Sequence, residues 1–287
     1  MTQFPYLSDL AADYDAILCD VWGVIRDGSD LLPEALDALR QYRAQGGTVI
    51  LVSNSPRRAS SLENFLHQMG AGDDVWDGAV SSGEGTHALL KTRAPGPAFK
   101  LGPDTDDALY RDTGLDFARL EDAAFISCTG LFDWSQETPE DYVDLLTEAK
   151  LRRLDMICAN PDIVVQFGDG LRYCAGALAE KYEALGGNVI MAGKPHPPIY
   201  DLAYREIERL RGEVVDKSRI LAIGDGPVTD IKGAQAEGVD ALFIAGGILA
   251  EQFGDAFDAG QAGALLRGDW RRARHVATTP VARSPAA

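Results

Sequence analysis

Histidine and cysteine are scarce in this 287-residue chain, four of each, and their spacing removes several kinds of chemistry. Cys19, Cys128, Cys158 and Cys174 form no CxxC pair, which excludes a zinc ribbon and a disulfide framework. Three of them sit in apolar runs, where a buried thiol packs as a small hydrophobe. His67, His87, His196 and His275 share no metal-ligand spacing. Only His196 lies close to a motif, two residues after Lys194, and it reads as a solvated loop residue. No G-x-S-x-G elbow surrounds Ser53 or Ser55, so a serine hydrolase is excluded as well. Gly83-Glu84-Gly85-Thr86 lacks the lysine that completes a phosphate loop and reads as a helix start.

Positive charge is also in short supply. The chain carries 27 basic against 44 acidic side chains, a formal net charge of −17, which repels nucleic acid and anionic membranes. An anionic substrate would have to find local positive charge in a metal, a lysine or a helix N-terminus. Long apolar runs are missing: the longest weakly apolar stretch, 241–250, is about half of a bilayer span. The first fifteen residues have no basic segment of the signal-peptide kind. A cytoplasmic protein without nucleic-acid or membrane partners is expected; a homo-oligomer is compatible with the sequence, which leaves the oligomeric state open.

What is present is an ordinary globular composition, 46% hydrophobic and 25% charged, long enough for two domains. Apolar runs alternate with helical patterns, the rhythm of βαβ units around a parallel sheet. The runs 16–19, 48–52, 220–223 and 241–244 read as buried strands, and 33–44 and 60–69 as helices closed by glycine. Three of these strands end on a polar residue: Asp20, Ser53 and Asp225. Ligands of open parallel sheets bind at that edge. Between Ser53 and the third buried strand, 98–101, 123–127 and 155–159 read as further strands, with helices over 138–153 and 176–185. This segment, 85–188, is expected to be a domain inserted into a core made of 1–84 and 189–287. After about residue 266, Arg267, Arg271, Arg272, Arg274 and Arg283 oppose only Asp269, which reads as a terminal amphipathic helix followed by a loose tail.

Four segments in order carry a resemblance. Asp20-Val21-Trp22-Gly23-Val24 follows a buried strand, then come Val52-Ser53-Asn54-Ser55, Gly193-Lys194-Pro195 and Gly224-Asp225-Gly226-Pro227-Val228-Thr229-Asp230-Ile231. Any one alone is matched by an ordinary turn aspartate, capping serine or exposed lysine. Together they resemble the four motifs of the haloacid dehalogenase-like superfamily. The position of the insertion, with Ala159-Asn160-Pro161-Asp162 and Gly176-Ala177-Leu178, is similar to its large-capped class IIA, which includes nitrophenyl phosphatases and nucleotide or sugar phosphatases. The resemblance implies an α/β fold, a Rossmann-like doubly wound parallel sheet core with an inserted α/β cap. It implies a magnesium-dependent hydrolase of a small phosphorylated metabolite, with Asp20 as nucleophile and Asp20, Asp225 and the Trp22 main-chain carbonyl as metal ligands. Ser53, Asn54 and Lys194 would bind the phosphate, Asp230 would hold a metal-bound water or orient Lys194, and Asn160, Asp162, Phe167, Arg172 and Tyr173 would face the substrate.

The chemistry is physically coherent. A carboxylate attacks phosphorus only when the repulsion between two anions is lowered, which a magnesium ion and a lysine do together. One departure stands out. The family carries a second aspartate at the position of Trp22, which protonates the leaving oxygen and later activates water. Indole does neither. Either Asp27 or Asp162 takes over, or the leaving group needs no acid, or the chain is a non-catalytic phospho-ligand binder. An aromatic residue at this position also resembles the dehalogenases of the superfamily, against which stand the two acidic residues Asp225 and Asp230.

Overall fold

A computed structural model describes residues 2–3, 7, 10–27, 30–167, 170–245 and 273–277. Along the chain run β1 (Thr2–Gln3), β2 (Ala16–Cys19), β3 (Arg26–Asp27), β4 (Asp30–Leu31), α1 (Pro33–Ala44), β5 (Thr48–Ser53), α2 (Ala59–Gln68) and β6 (Gly78–Ser81). There follow α3 (Ser82–Arg93), β7 (Ala98–Leu101), β8 (Phe125–Cys128), α4 (Val143–Leu151), β9 (Asp155–Cys158), β10 (Val164–Phe167), β11 (Gly170–Tyr173), α5 (Ala175–Ala184) and β12 (Asn188–Met191). The last described elements are α6 (Pro197–Arg211), β13 (Ile220–Gly224), α7 (Lys232–Glu237), β14 (Asp240–Ile244) and β15 (Ala273–Ala277).

The chain divides into two compact units, residues 1–53, 63–80 and 200–287 in the first and 54–62 and 81–199 in the second. The expected limits of the insertion, 85 and 188, are narrower than those of the second unit. Residue 85 lies in the first turn of α3, whose start is set by the Ser81 hydroxyl accepting the Glu84 N–H at 3.0 Å.

In the first unit, seven strands form one sheet in the order β1-β15-β14-β13-β2-β5-β6. Every residue of β2, β5, β13 and β14 is buried. Strands covered on both faces read as unbroken apolar runs, which is why these four were legible in the sequence. Helix α1 has proline in its first turn and buries Ala35, Leu36, Ala38, Leu39 and Tyr42, one stripe of a 3.6-residue period. Burying a leucine side chain fully contributes about 1.5–3 kcal/mol, so this stripe holds the helix more than intrinsic propensity does.

In the second unit, a four-stranded parallel sheet runs β12-β9-β8-β7. One face, with Ile126, Cys128, Met156 and Cys158, packs on Leu146 and Ala149 of α4 and Leu178 and Tyr182 of α5. The other face, with Ala98, Phe125, Ile157 and Ala159, packs with Leu90 of α3 and Leu109. Strands β10 and β11 form a separate antiparallel pair.

Several expectations need correction. Residues 273–277, expected in an amphipathic helix, are strand β15, which extends the main sheet beside β14; the remainder of the arginine-rich tail lies outside the described residues. The helix expected over 138–153 is broken into a tight turn at Pro139–Tyr142, opened by a reciprocal Thr138–Asp141 cap, and α4. Strands β6, β10, β11 and β12 and helix α6 were not foreseen. Among the described residues, no helix is long and apolar enough to cross a membrane.

Candidate active site

Strand register builds the site. Cys19 pairs with Ile223 on one side and Leu51 on the other. One residue further on, the Asp20 N–H donates to the Ile223 carbonyl at 2.8 Å. Asp20 therefore leaves the sheet between the end of β13, where Asp225 follows Gly224, and the end of β5, where Ser53 is its last residue. The chain winds from β2 to β5 and β6 in one direction and from β13 to β14 and β15 in the other, so the order reverses between β2 and β13. Such a switch point opens a crevice at the carboxyl edge.

Asp20, Asp225 and Asp230 meet there. Each offers an oxygen within 4.8 Å of the others, and all three residues are buried. Gathering three carboxylates away from water is unfavourable unless a cation joins them. Hard oxygen donors in this number fit a magnesium ion, which keeps its remaining ligands as water. The backbone is shaped around them. Gly23 has φ of +72°, and a Cβ there would lie 1.9 Å from Asp225 Oδ2. A Cβ on Gly224 would lie 2.2 Å from Asp230 Cγ. Asp230 itself sits in a single wide turn, Pro227–Ile231, in which the Asp230 and Ile231 N–H groups share the Gly226 carbonyl at 2.9 and 3.1 Å. Wide turns of this kind recur at functional sites. Its Oδ2 accepts the Gly226 N–H at 3.1 Å and the Thr229 hydroxyl at 3.3 Å, fixing the carboxylate.

The loop after Asp20 folds back on itself. The Gly23 N–H donates to the Arg26 carbonyl at 2.9 Å, and the Ile25 and Arg26 N–H groups both donate to the Val21 carbonyl at 3.1 Å. Trp22 is half-buried, and the guanidinium of buried Arg26 lies 3.8 Å from its ring centroid and 4.9 Å from that of Phe65. Asp27 is exposed. Sequence reasoning missed Arg26 and Phe65 as partners of Trp22, because only the fold brings α2 against this loop.

The other expected residues belong to the second unit. Lys194 is 3% exposed, and its main chain is held from both sides by Asn54. The Lys194 N–H donates to Asn54 Oδ1 at 2.7 Å, and Asn54 Nδ2 donates to the Lys194 carbonyl at 3.1 Å and to Asp162 Oδ1 at 2.8 Å. Both amide N–H bonds of Asn54 are thereby occupied, and its side chain positions Lys194. Asn160 joins the group, its Oδ1 accepting the Asp162 N–H at 3.0 Å. Beside it burial pushes the Cys158 thiol up to about 12 and that of Cys174 higher still, so both remain neutral and inert.

Arg172 and Tyr173 lie on β11, where the Arg172 guanidinium donates to the Leu171 carbonyl at 3.1 Å and Tyr173 is exposed. The side chain of Phe167 lies outside the described residues. A feature the motifs did not reveal clamps the segment after Ser53. Arg58 makes a bidentate pair with Glu84 at 2.7 and 2.7 Å, and the Arg58 guanidinium holds the Glu84 carboxyl below its usual range. The Ser81 hydroxyl donates to the Arg57 carbonyl at 2.6 Å, and the Gly83 N–H to that of Ser55 at 3.0 Å. Ser81-x-x-Glu84 is a capping-box spacing, the one local signal that marked this place.

Comparison with known proteins agrees with this geometry. Residues 17–116 match the family described as haloacid dehalogenase-like hydrolase, and residues 191–263 match one described as HAD-hydrolase-like, together more than half of the chain. A solved hydrolase of the haloacid dehalogenase-like family from Brucella suis is 41% identical, with a TM-score of 0.88 over 97% of this chain and 100% of that one. Human chronophin is 27% identical over 78% of this chain and 79% of its own length. The D-glycerol 3-phosphate phosphatase of Mycobacterium tuberculosis is 28% identical over 84% of this chain and 66% of its own. The chain belongs to the haloacid dehalogenase-like hydrolases.

Proposed function

We propose that the chain is a magnesium-dependent phosphatase of a small phosphorylated metabolite, acting through an aspartyl-phosphate on Asp20. The observation that carries this reading is the meeting of three buried carboxylates with Ser53 at one sheet edge. Relatives named as phosphatases support it. Asp20, Asp225, Asp230 and the Trp22 carbonyl are the groups that would hold the ion. When bound, the ion offsets the negative charge of the phosphoryl group and of the carboxylates around it.

The remaining work belongs to the chain. The Asp20 carboxylate attacks phosphorus in line, and its burial leaves it little water to shed. Ser53 donates a hydrogen bond to a phosphoryl oxygen, and Lys194 supplies the fixed positive charge that an acidic protein otherwise lacks. Asn54 acts through Lys194 by holding its peptide. Water then cleaves the aspartyl-phosphate. Asn160 and Asp162 are the side chains that would select the substrate, with Arg172 and Tyr173 on β11 as further candidates. The carboxylate cluster speaks against cleavage of a carbon–halogen bond, which needs no metal. A cytoplasmic location and a homo-oligomer belong to the same proposal.

The test is a panel of phosphate monoesters assayed with magnesium and with a chelator. Turnover that needs the metal, together with a beryllium fluoride adduct on Asp20, is the expected result. Binding of phosphorylated ligands without turnover of any of them would replace this reading with a binding protein.

A further inference from the structure

Trp22 and Arg26 are the part of the nucleophile loop that the proposed chemistry leaves unused. The indole stands where the resemblance expects the proton donor for the leaving oxygen. Its ring is held against the Arg26 guanidinium at 3.8 Å, and that guanidinium, 3% exposed, also lies over Phe65 at 4.9 Å. Three main-chain hydrogen bonds close the loop around this stack. A cation withdrawn from water and placed on two aromatic faces is strongly retained there, so the indole stays in place. Its N–H has no acidity that could serve a leaving group.

The sequence offers two other carboxyl groups as donors, Asp27 and Asp162. Asp27 lies exposed on the short β3–β4 pair. Asp162 accepts the Asn54 amide at 2.8 Å.

We infer that the substrates of this enzyme are phosphorylated phenols, enols or carboxylic acids, whose leaving oxygen departs as a stable anion, and that phosphates of ordinary alcohols are poor substrates. The inference rests on the phosphatase reading above. In the first step an Asp20 oxygen bonds to phosphorus as the bond to the leaving oxygen breaks. The electron pair stays on that oxygen, which departs as phenolate, enolate or carboxylate without taking a proton. In the second step a water oxygen bonds to phosphorus, the bond to Asp20 breaks with its electron pair returning to the carboxylate, and the proton of the water passes to the phosphate and solvent. An alkoxide is too strong a base to leave by the first step unaided. Positioned proton transfer typically contributes ~10²–10⁴-fold, and that is the disadvantage expected for an alkyl phosphate.

The experiment measures kcat/KM of the purified full chain with magnesium for phenyl phosphates of graded leaving-group acidity, acetyl phosphate and glycerol phosphate. A steep fall with leaving-group basicity, with glycerol phosphate slower by ~10²–10⁴-fold, supports the inference. Trp22→Phe, which keeps an aromatic face for Arg26, should keep the slope, and Trp22→Asp should flatten it by raising the alkyl phosphate most. A flat series in the parent protein overturns the inference and leaves the phosphatase reading standing. No turnover of any member, acetyl phosphate included, removes both. If Trp22→Asp fails to fold in a melting experiment, the slopes of the parent and of Trp22→Phe still decide.

Discussion

Strand β2 is bracketed by two aspartates, Asp15 before it and Asp20 after it, and the sheet treats them in opposite ways. At the amino edge Asp15 makes a bidentate pair with Arg219 at 2.9 and 2.7 Å, and the Asp15 carbonyl accepts from Arg211 at 3.2 Å. Around them the Tyr42 hydroxyl donates to the Tyr14 carbonyl at 2.9 Å, and the Tyr14 hydroxyl to Asp240 at 3.1 Å. Opposite charges and donors meet acceptors there. At the carboxyl edge Asp20 meets two further carboxylates. One end of the same strands pairs opposite charges, and the other gathers like charges that the proposed cation would offset.

The largest effect that would sharpen this contrast is at Asp20, the proposed nucleophile. Asp20→Asn should lose on the order of 10⁴-fold or more in kcat, since the amide cannot form the acyl-phosphate. Measured with chelator present, its melting temperature should equal or exceed that of the parent, because one of three like charges is gone. A clear loss of stability would break the comparison by showing that Asp20 has a structural partner worth more than the repulsion.

Next comes the metal. Magnesium at about 100 times its Kd should add about 2.7 kcal/mol to the stability of the parent. Asp225→Asn should remove most of that increment while leaving the chelated protein as stable as before. Melting curves with and without magnesium read both.

At the amino edge the expected effects are smaller and appear in stability alone. Tyr42→Phe leaves the buried Tyr14 carbonyl without its donor and should cost about 1–2 kcal/mol with kcat unchanged. Loss of activity in this variant would show that the two edges are coupled.

The smallest effect is a pH dependence. The hydrogen bond from the Arg219 guanidinium beside Asp15 holds its carboxyl below the usual range. A depressed folded value means that the pair stabilises at neutral pH and that this contribution fades as pH falls through the folded value, beneath the ordinary carboxylate range. Both partners are partly exposed, so the effect is screened by salt. Melting temperatures of the parent and Asp15→Asn should converge on acidification and at high salt.

Legibility followed burial. Strands β2 and β13 and helix α1 were readable because each is apolar on the faces it buries, and β7 because its run is short and bounded. Helix α6 was not, since Pro197-Pro198 reads as a loop although proline suits the first turn of a helix. Strand β12 is half-exposed, and β15 carries arginine and histidine, so neither shows an apolar run. The residues of the site were legible as strand ends, and their partners were not. Nothing near Asn54 indicates that its amide holds Lys194, and nothing near Trp22 indicates Arg26 and Phe65.

The sequence by itself determined the alternation of strands and helices, the polar residues at their ends, the order of the four segments and the tryptophan two residues after Asp20. Those are local facts, since period and turn chemistry record which face of each segment is buried. Only the tertiary structure decided that Asp230 joins Asp20 and Asp225, that Asn54 is used up on Lys194, and that Trp22 is locked by Arg26. Such meetings depend on strand register and on loops closing over long stretches of chain, and a shift of one residue in register would turn each side chain to the opposite face.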